Sequence, residues 1–168
     1  GVGGQGVVLA SRLIAYAAME QGDFVRTTET IGMAQRGGSV VSHVRAGSEV
    51  HSPIIPAGTA DVIIAFEPGE AVRCLPYLKE GGMVVTNRQI VKPVSASLGG
   101  SIYNAEEMLD YLQKKAGRVI IIDGENICRE AGSPKVLNVA LLGAVAKSGA
   151  LGISLEEMAE AVRRNVKE

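Results

Sequence analysis

Three short runs, DVIIAFEP, GGMVVTN and RVIIIDG, constrain the fold more than anything else in this chain. Each is a continuous apolar stretch bounded by Gly, Asp or Pro, with no polar residue on alternate positions, which suits a strand buried on both faces of a parallel sheet. Between and after them lie helical patterns: VVLASRLIAYAAMEQG, with Gly22 where a C-terminal cap belongs, then GEAVRCLPYL, AEEMLDYLQKKAG and LEEMAEAVRRNV. Alternating strands and helices give an α/β domain.

The expected architecture is a three-layer, Rossmann-like α/β domain with a mostly parallel sheet. A helix spans about residues 5 to 21, and Phe24 to Thr28 form a short strand. Pro76 bends or shortens the helix that carries it. One antiparallel hairpin is expected over residues 39–52, where Val40, Ser42, Val44 and Ala46 alternate with Val41, His43 and Arg45, a turn falls at Ala46 to Ser48, and Glu49 to Ser52 return. The stretch TIGMAQRGG reads as a loop or irregular turn, and residues 88–101 as a polar connection ending at Gly99-Gly100. Ser133-Pro134 opens the apolar helix PKVLNVALLGAVAKSG, and Ser154 with Glu157 forms a capping box for the last helix. A chain of 168 residues without an internal repeat or linker is expected to be one domain, residues 1–168.

The charge balance excludes several functions. Seventeen basic and eighteen acidic residues are interspersed to a net −1, so no field gathers nucleic acid or an anionic membrane. Cys74 and Cys128 are two lone cysteines, which fits a reducing compartment and is too few to hold an iron-sulfur cluster or structural zinc by thiolates alone. No apolar run is long enough for a membrane span. The protein is expected in the cytoplasm. His43 and His51, on the two expected hairpin arms, have no carboxylate or thiol cluster beside them; they read as exposed or half-buried strand residues, and no metal site is assigned.

Two glycine-rich stretches could carry chemistry. GVGGQG, residues 1–6, matches a phosphate-cradling loop that opens a helix, and Glu29 lies about where a ribose-binding carboxylate would follow the second strand. The same loop could simply let the helix pack closely. Gln5 could donate to a phosphate or carbonyl, or cap the helix. In GMAQRGGSVVSHVR, Arg36 stands beside Gly37 and Gly38, a fixed cation next to accessible backbone N–H groups; it suits an anion or an acidic partner surface, or is a solvated turn. Asp123 ends a strand where α/β sites gather, a position that also caps helices. Cys74 and Cys128 read as packing residues. Asn138 is a polar residue on an otherwise apolar helix, so it ties that helix to a neighbouring loop or meets another chain; the helix itself reads as central or at an interface.

Taken together, GVGGQGVVLAS, ETIGMAQRGGSVVSHVR, DVIIAFEP, GGMVVTN and KVLNVALLGAVA resemble, over nearly the whole chain, the gamma-type subunits of the 2-oxoacid:ferredoxin oxidoreductases. GMAQRGGSV is the more specific marker of the indolepyruvate branch, whose beta subunits are of this type. Members carry a short apolar strand ahead of the glycine loop, so Gly1 is expected not to be the natural start. The resemblance implies a subunit of a CoA-dependent enzyme that decarboxylates indolepyruvate or another aryl pyruvate to an acyl-CoA, carbon dioxide and reduced ferredoxin. It implies no cofactor on this chain alone: thiamine diphosphate and 4Fe-4S clusters belong to the alpha subunit. The partners implied are that alpha subunit, ferredoxin through the complex, and a second copy of the chain when it is isolated. The residues assigned to substrate, CoA or subunit contact are Gly3, Gly4, Gln5 and Gly6, then Gln35, Arg36, Gly37, Gly38 and Ser39, with Glu29 and Asn138; Arg36 is the residue assigned to an anionic group.

Overall fold

The computed structural model describes residues 1–31, 38–91 and 103–166. Its elements run α1 (Val7–Glu20), β1 (Phe24–Ile31), β2 (Val40–Gly47), β3 (Ala60–Ala65), α2 (Pro68–Cys74), β4 (Leu78–Asn87), α3 (Ala105–Lys115), β5 (Arg118–Ile122), α4 (Gly124–Glu130), α5 (Leu137–Ser148) and α6 (Leu155–Asn165). The three apolar runs form the parallel sheet β3-β4-β5, with Ile63 opposite Val84 and Val84 opposite Val119.

Both faces of that sheet are covered, so alternate strand residues enter different cores. Met83 and Val85 pack with Leu13, Leu141, Leu142 and Met158 beneath α1, α5 and α6. Ile63, Ala65 and Val84 pack on the opposite face with Ala71, Leu109 and Leu112 of α2 and α3. Three layers result, because the apolar side chains on both faces of the sheet find apolar partners in the helices that cover them.

The local signals act where expected. Ser154 Oγ accepts from Glu157 N at 3.2 Å and Glu157 Oε2 accepts from Ser154 N at 2.7 Å, closing the capping box of α6. Ser133 accepts from Lys135 N, but Pro134–Val136 form a 3₁₀ turn and the α-helix proper starts at Leu137. Pro76 lies in the 3₁₀ turn Leu75–Tyr77 that ends α2. No described helix is long and apolar enough to cross a membrane.

The hairpin differs from expectation. β2 pairs antiparallel with the upstream strand β1, from Phe24–Gly47 to Ile31–Val40, in a two-stranded ribbon of its own against α1, and residues 49–52 form no strand. Two causes are visible. β1 runs to Ile31, not Thr28, and so offers eight ladder positions. The segment after β2 holds Pro53 and Pro56, which lack ladder donors, and is tied down by side chains instead: Arg45 donates to Ser52 O at 2.9 Å and Ile55 N donates to His43 Nδ1 at 3.2 Å. His43 is thus a buried residue, against the expectation of an exposed or half-buried one, and His51 is exposed beyond the ribbon.

Candidate functional site

The glycine loop folds as a tight turn ahead of α1. Gln5 N donates to Val2 O at 3.2 Å, Gly4 takes φ +97°, and Gly6 takes φ +85° as the N-cap of α1. The Gln5 side chain neither caps the helix nor reaches outward with its oxygen; Oε1 accepts from Val2 N at 2.7 Å and braces the turn. No side chain caps α1 and its first turn holds no acidic residue, so the positive end of its dipole faces the loop. In front of it lies an open recess of about 330 Å³ lined by Val2, Gly3, Gly4, Gly6, Val7, Val8 and Val40.

The second glycine-rich stretch meets the first. Gly3 N donates to Gly38 O at 2.9 Å, Val2 and Ser39 form an antiparallel bridge, and Val40 N donates to Gly1 O at 2.8 Å. Residues more than thirty positions apart therefore form one surface. Gln35, Arg36 and Gly37 lie outside the described residues.

Asn138 joins them from α5. It is 5% exposed; its Oδ1 accepts from Val139 N at 2.8 Å, and its Nδ2 lies where a Cβ on Gly6 would come within 2.7 Å. Asn138 thus packs onto the neighbouring glycine loop, as the first of its two readings has it. α5 is central: Leu141, Leu142 and Val145 are fully buried among α1, α6 and the sheet.

Glu29 is not brought in. It sits inside β1 opposite Ser42, two pairs back from Ile31–Val40 and not beyond a strand end. Because β1 runs antiparallel in the ribbon, the position of a ribose-binding carboxylate at the end of a second parallel strand does not arise.

Four residues of this edge escape sequence reasoning: Glu67, Glu70, Arg73 and Tyr103. β3 delivers Glu67 to the N-cap of α2, where its carboxylate accepts from Gly69 N at 3.1 Å, Glu70 N at 2.7 Å and the Tyr103 hydroxyl at 3.2 Å, while it is only 1% exposed. Burial, then the Glu67 carboxylate, push the Tyr103 phenol up to about 12. Ser39 Oγ donates to Glu70 Oε2 at 2.5 Å, and Arg73 grips the same carboxylate at 3.2 and 2.7 Å. Burial works against the charged Glu70, but Arg73 and Ser39 outweigh it and hold the carboxyl below its usual range. The available signal was the acid before Pro in AFEPGE, a carboxylate set at an N-cap directly after a buried strand.

The other strand ends are occupied by capping. Asn87 Oδ1 accepts from Gly124 N at 3.0 Å, and Asp123 Oδ1 accepts from Asn126 N and Gln89 Nε2, both at 3.1 Å. These bonds hold Asp123 below the usual carboxylate range, the Asn126 N–H first. Its role is the helix cap. Two cavities of about 100 and 130 Å³ lie between β2 and β3, lined chiefly by Val, Ile and Ala; Ser42, His43, Glu70, Cys74 and Tyr77 also line the first, and Ser11 and Ser42 the second.

Among the described residues no set of side chains fits a metal or cluster. Cys74 is half-buried on α2 with burial raising its thiol, Cys128 on α4 faces Pro134 O, and among the described residues no group of three His, Cys, Asp or Glu converges.

Comparison with known proteins agrees with this architecture. The family model described as pyruvate ferredoxin/flavodoxin oxidoreductase matches residues 1–168. The indolepyruvate oxidoreductase subunit IorB of Archaeoglobus fulgidus is 42% identical over 168 residues, 99% of this chain and 83% of the relative. IorB of Thermococcus kodakarensis is 40% identical over 168 residues with the same coverage. The crystal structure of the keto/oxoacid ferredoxin oxidoreductase gamma subunit from Geobacter sulfurreducens superposes with TM-score 0.65 at 24% identity, covering 99% of this chain and 83% of that one, a likeness of fold. The chain belongs to the pyruvate ferredoxin/flavodoxin oxidoreductase family.

Proposed function

We propose that this chain is the non-cluster subunit of an indolepyruvate, or related aryl pyruvate, ferredoxin oxidoreductase that makes an acyl-CoA, carbon dioxide and reduced ferredoxin. Thiamine diphosphate and 4Fe-4S clusters are assigned to a large alpha partner subunit, which this chain completes by binding and orientation. The reading gains its substrate class from the relatives named as indolepyruvate oxidoreductase subunits.

One observation carries the placement of the site: the glycine loop and the Gly38–Val40 strip form a single surface at the uncapped N-terminus of α1. Free N–H groups at a helix start, beside glycines that permit close approach, suit a phosphate or carboxylate. Arg36, two positions before Gly38, is assigned to that anion, either a CoA phosphate or the oxoacid carboxylate, since its guanidinium can bind both oxygens at once.

Co-expression with the alpha partner tests this. Arg36→Ala is expected to raise the KM for CoA or for the oxoacid about tenfold, the loss of one charge-assisted contact. Unchanged kinetics with unchanged assembly overturn the assignment, and altered assembly with normal turnover leaves the chain a scaffold. Saturable binding of NAD(P)H or flavin in calorimetry would favour a stand-alone nucleotide binder, a reading that the antiparallel setting of Glu29 does not support.

A further inference from the structure

We propose that Glu70 and Arg73 are positioning residues for the glycine loop, acting on it through Ser39. The Ser39 hydroxyl sits in a fork made by two side chains of α2: it donates to Glu70 Oε2 at 2.5 Å and is met by the Arg73 guanidinium. Arg73 in turn holds both oxygens of Glu70. Ser39 is thereby fixed from 31 positions away in sequence.

Fixing Ser39 fixes the loop, because every described backbone bond from the loop to its neighbour strip flanks that residue. Gly3 N reaches Gly38 O on one side, Gly1 and Val40 exchange bonds at 3.0 and 2.8 Å on the other, and the Val2–Ser39 bridge lies between them. Glycines resist disorder poorly on their own, since they have the most conformational freedom to lose. A rigid helix residue that clamps the adjoining strip supplies the order that the loop sequence lacks.

The plain alternative is an i,i+3 ion pair that steadies α2 alone. Such a pair leaves Ser39 unaccounted for, whereas the Glu70 side chain is only 12% exposed and takes its charge-assisted bond from outside its own helix. The low titration range of Glu70 keeps this acceptor ionised at neutral pH.

The kinetic consequence rests on the loop being an anion contact, as proposed above; the mechanical one does not, so two readouts are needed. In the co-expressed complex, hydrogen exchange followed by mass spectrometry on peptides covering residues 1–9 reads the clamp. Ser39→Ala and Glu70→Ala are each expected to speed exchange there about tenfold, the worth of one such bond. Glu70→Gln, whose amide oxygen still accepts from Ser39, should change it less than about threefold. Unchanged exchange in Ser39→Ala and Glu70→Ala overturns the clamp, as does faster exchange that spreads equally through α5 and β4. CoA kinetics then test its use: KM rises with kcat steady if the loop is the anion contact. Faster exchange with unchanged KM sustains the clamp and sinks the functional reading of the loop.

Discussion

Asn138 closes over Gly6, so that a Cβ added at Gly6 would stand 2.7 Å from Asn138 Nδ2. The contact couples α5 to the glycine loop across more than a hundred residues of sequence. Gly4 provides an internal comparison: its φ of +97° is as left-handed as the +85° of Gly6, but a Cβ there meets nothing within 4 Å. Gly4→Ala is expected to cost about 1–2 kcal/mol, the backbone term alone. Gly6→Ala should cost more, and the surplus should return when Asn138→Ala is added, a non-additivity expected only between touching residues. Denaturant midpoints of the three variants and the double variant measure it. Equal costs at Gly4 and Gly6 would deny the contact any energetic weight.

His43 makes stability depend on pH in a defined direction. It is 7% exposed, accepts from Ile55 N at Nδ1, and meets the Tyr77 ring edge-on at 5.2 Å. Burial lowers its pKa below the ordinary value. As pH falls, the unfolded chain therefore takes up this proton first, at about 6.5. The contribution of His43 is complete above that value and is lost progressively below it, until the folded site also protonates. Denaturation at pH 7.5 and pH 5 should show the fall, and His43→Gln should reduce it. An undiminished slope in the variant would assign the effect to other groups.

How much was legible follows the range of the interactions. The strands β3, β4 and β5 declared themselves because burial on both faces writes a continuous apolar run. Ser154 and Glu157 were readable because a capping box closes within four residues. The ribbon was not, since Val40–Gly47 alternates equally well for a partner before or after it, and the choice falls to tertiary packing and two prolines. In the site, Asn138 was readable as a polar residue interrupting an apolar helix. No period or spacing links Ser39 to Glu70, or Tyr103 to Glu67, so that cluster emerges only when β3 and α2 are assembled in space.

Tyr103 and Glu67 give an alkaline counterpart. With its phenol pushed up to about 12, Tyr103 holds its proton in the folded state after the unfolded chain has released it. Its contribution is complete below about pH 10, the ordinary tyrosine value, and is lost as pH rises towards 12. Spectrophotometric titration of the tyrosines should show a late component that Tyr103→Phe removes. Glu67→Ala is a harsher change, because it orphans the N–H groups of Gly69 and Glu70; a loss of about 1–3 kcal/mol is expected from denaturant unfolding. A titration in which all four tyrosines ionise together would remove the Glu67 interaction from the account.

The two neighbouring leucines of α5 distinguish a central helix from a helix kept apolar for another subunit. Leu141 and Leu142 point about 100° apart around the helix, yet both are 0% exposed within this one chain. A helix reserved for a partner would bury one of them and leave the other for assembly. Each substitution to Ala is therefore expected to destabilise the isolated chain by about 2–5 kcal/mol, through lost burial and a cavity that close packing cannot refill. For a domain of this size, each kilocalorie lowers the midpoint by about 2–4 °C, so thermal unfolding resolves either loss. If Leu141→Ala or Leu142→Ala left the isolated chain unchanged and weakened only the assembled complex, α5 would be an interface helix, and the support it lends Gly6 through Asn138 would depend on the partner.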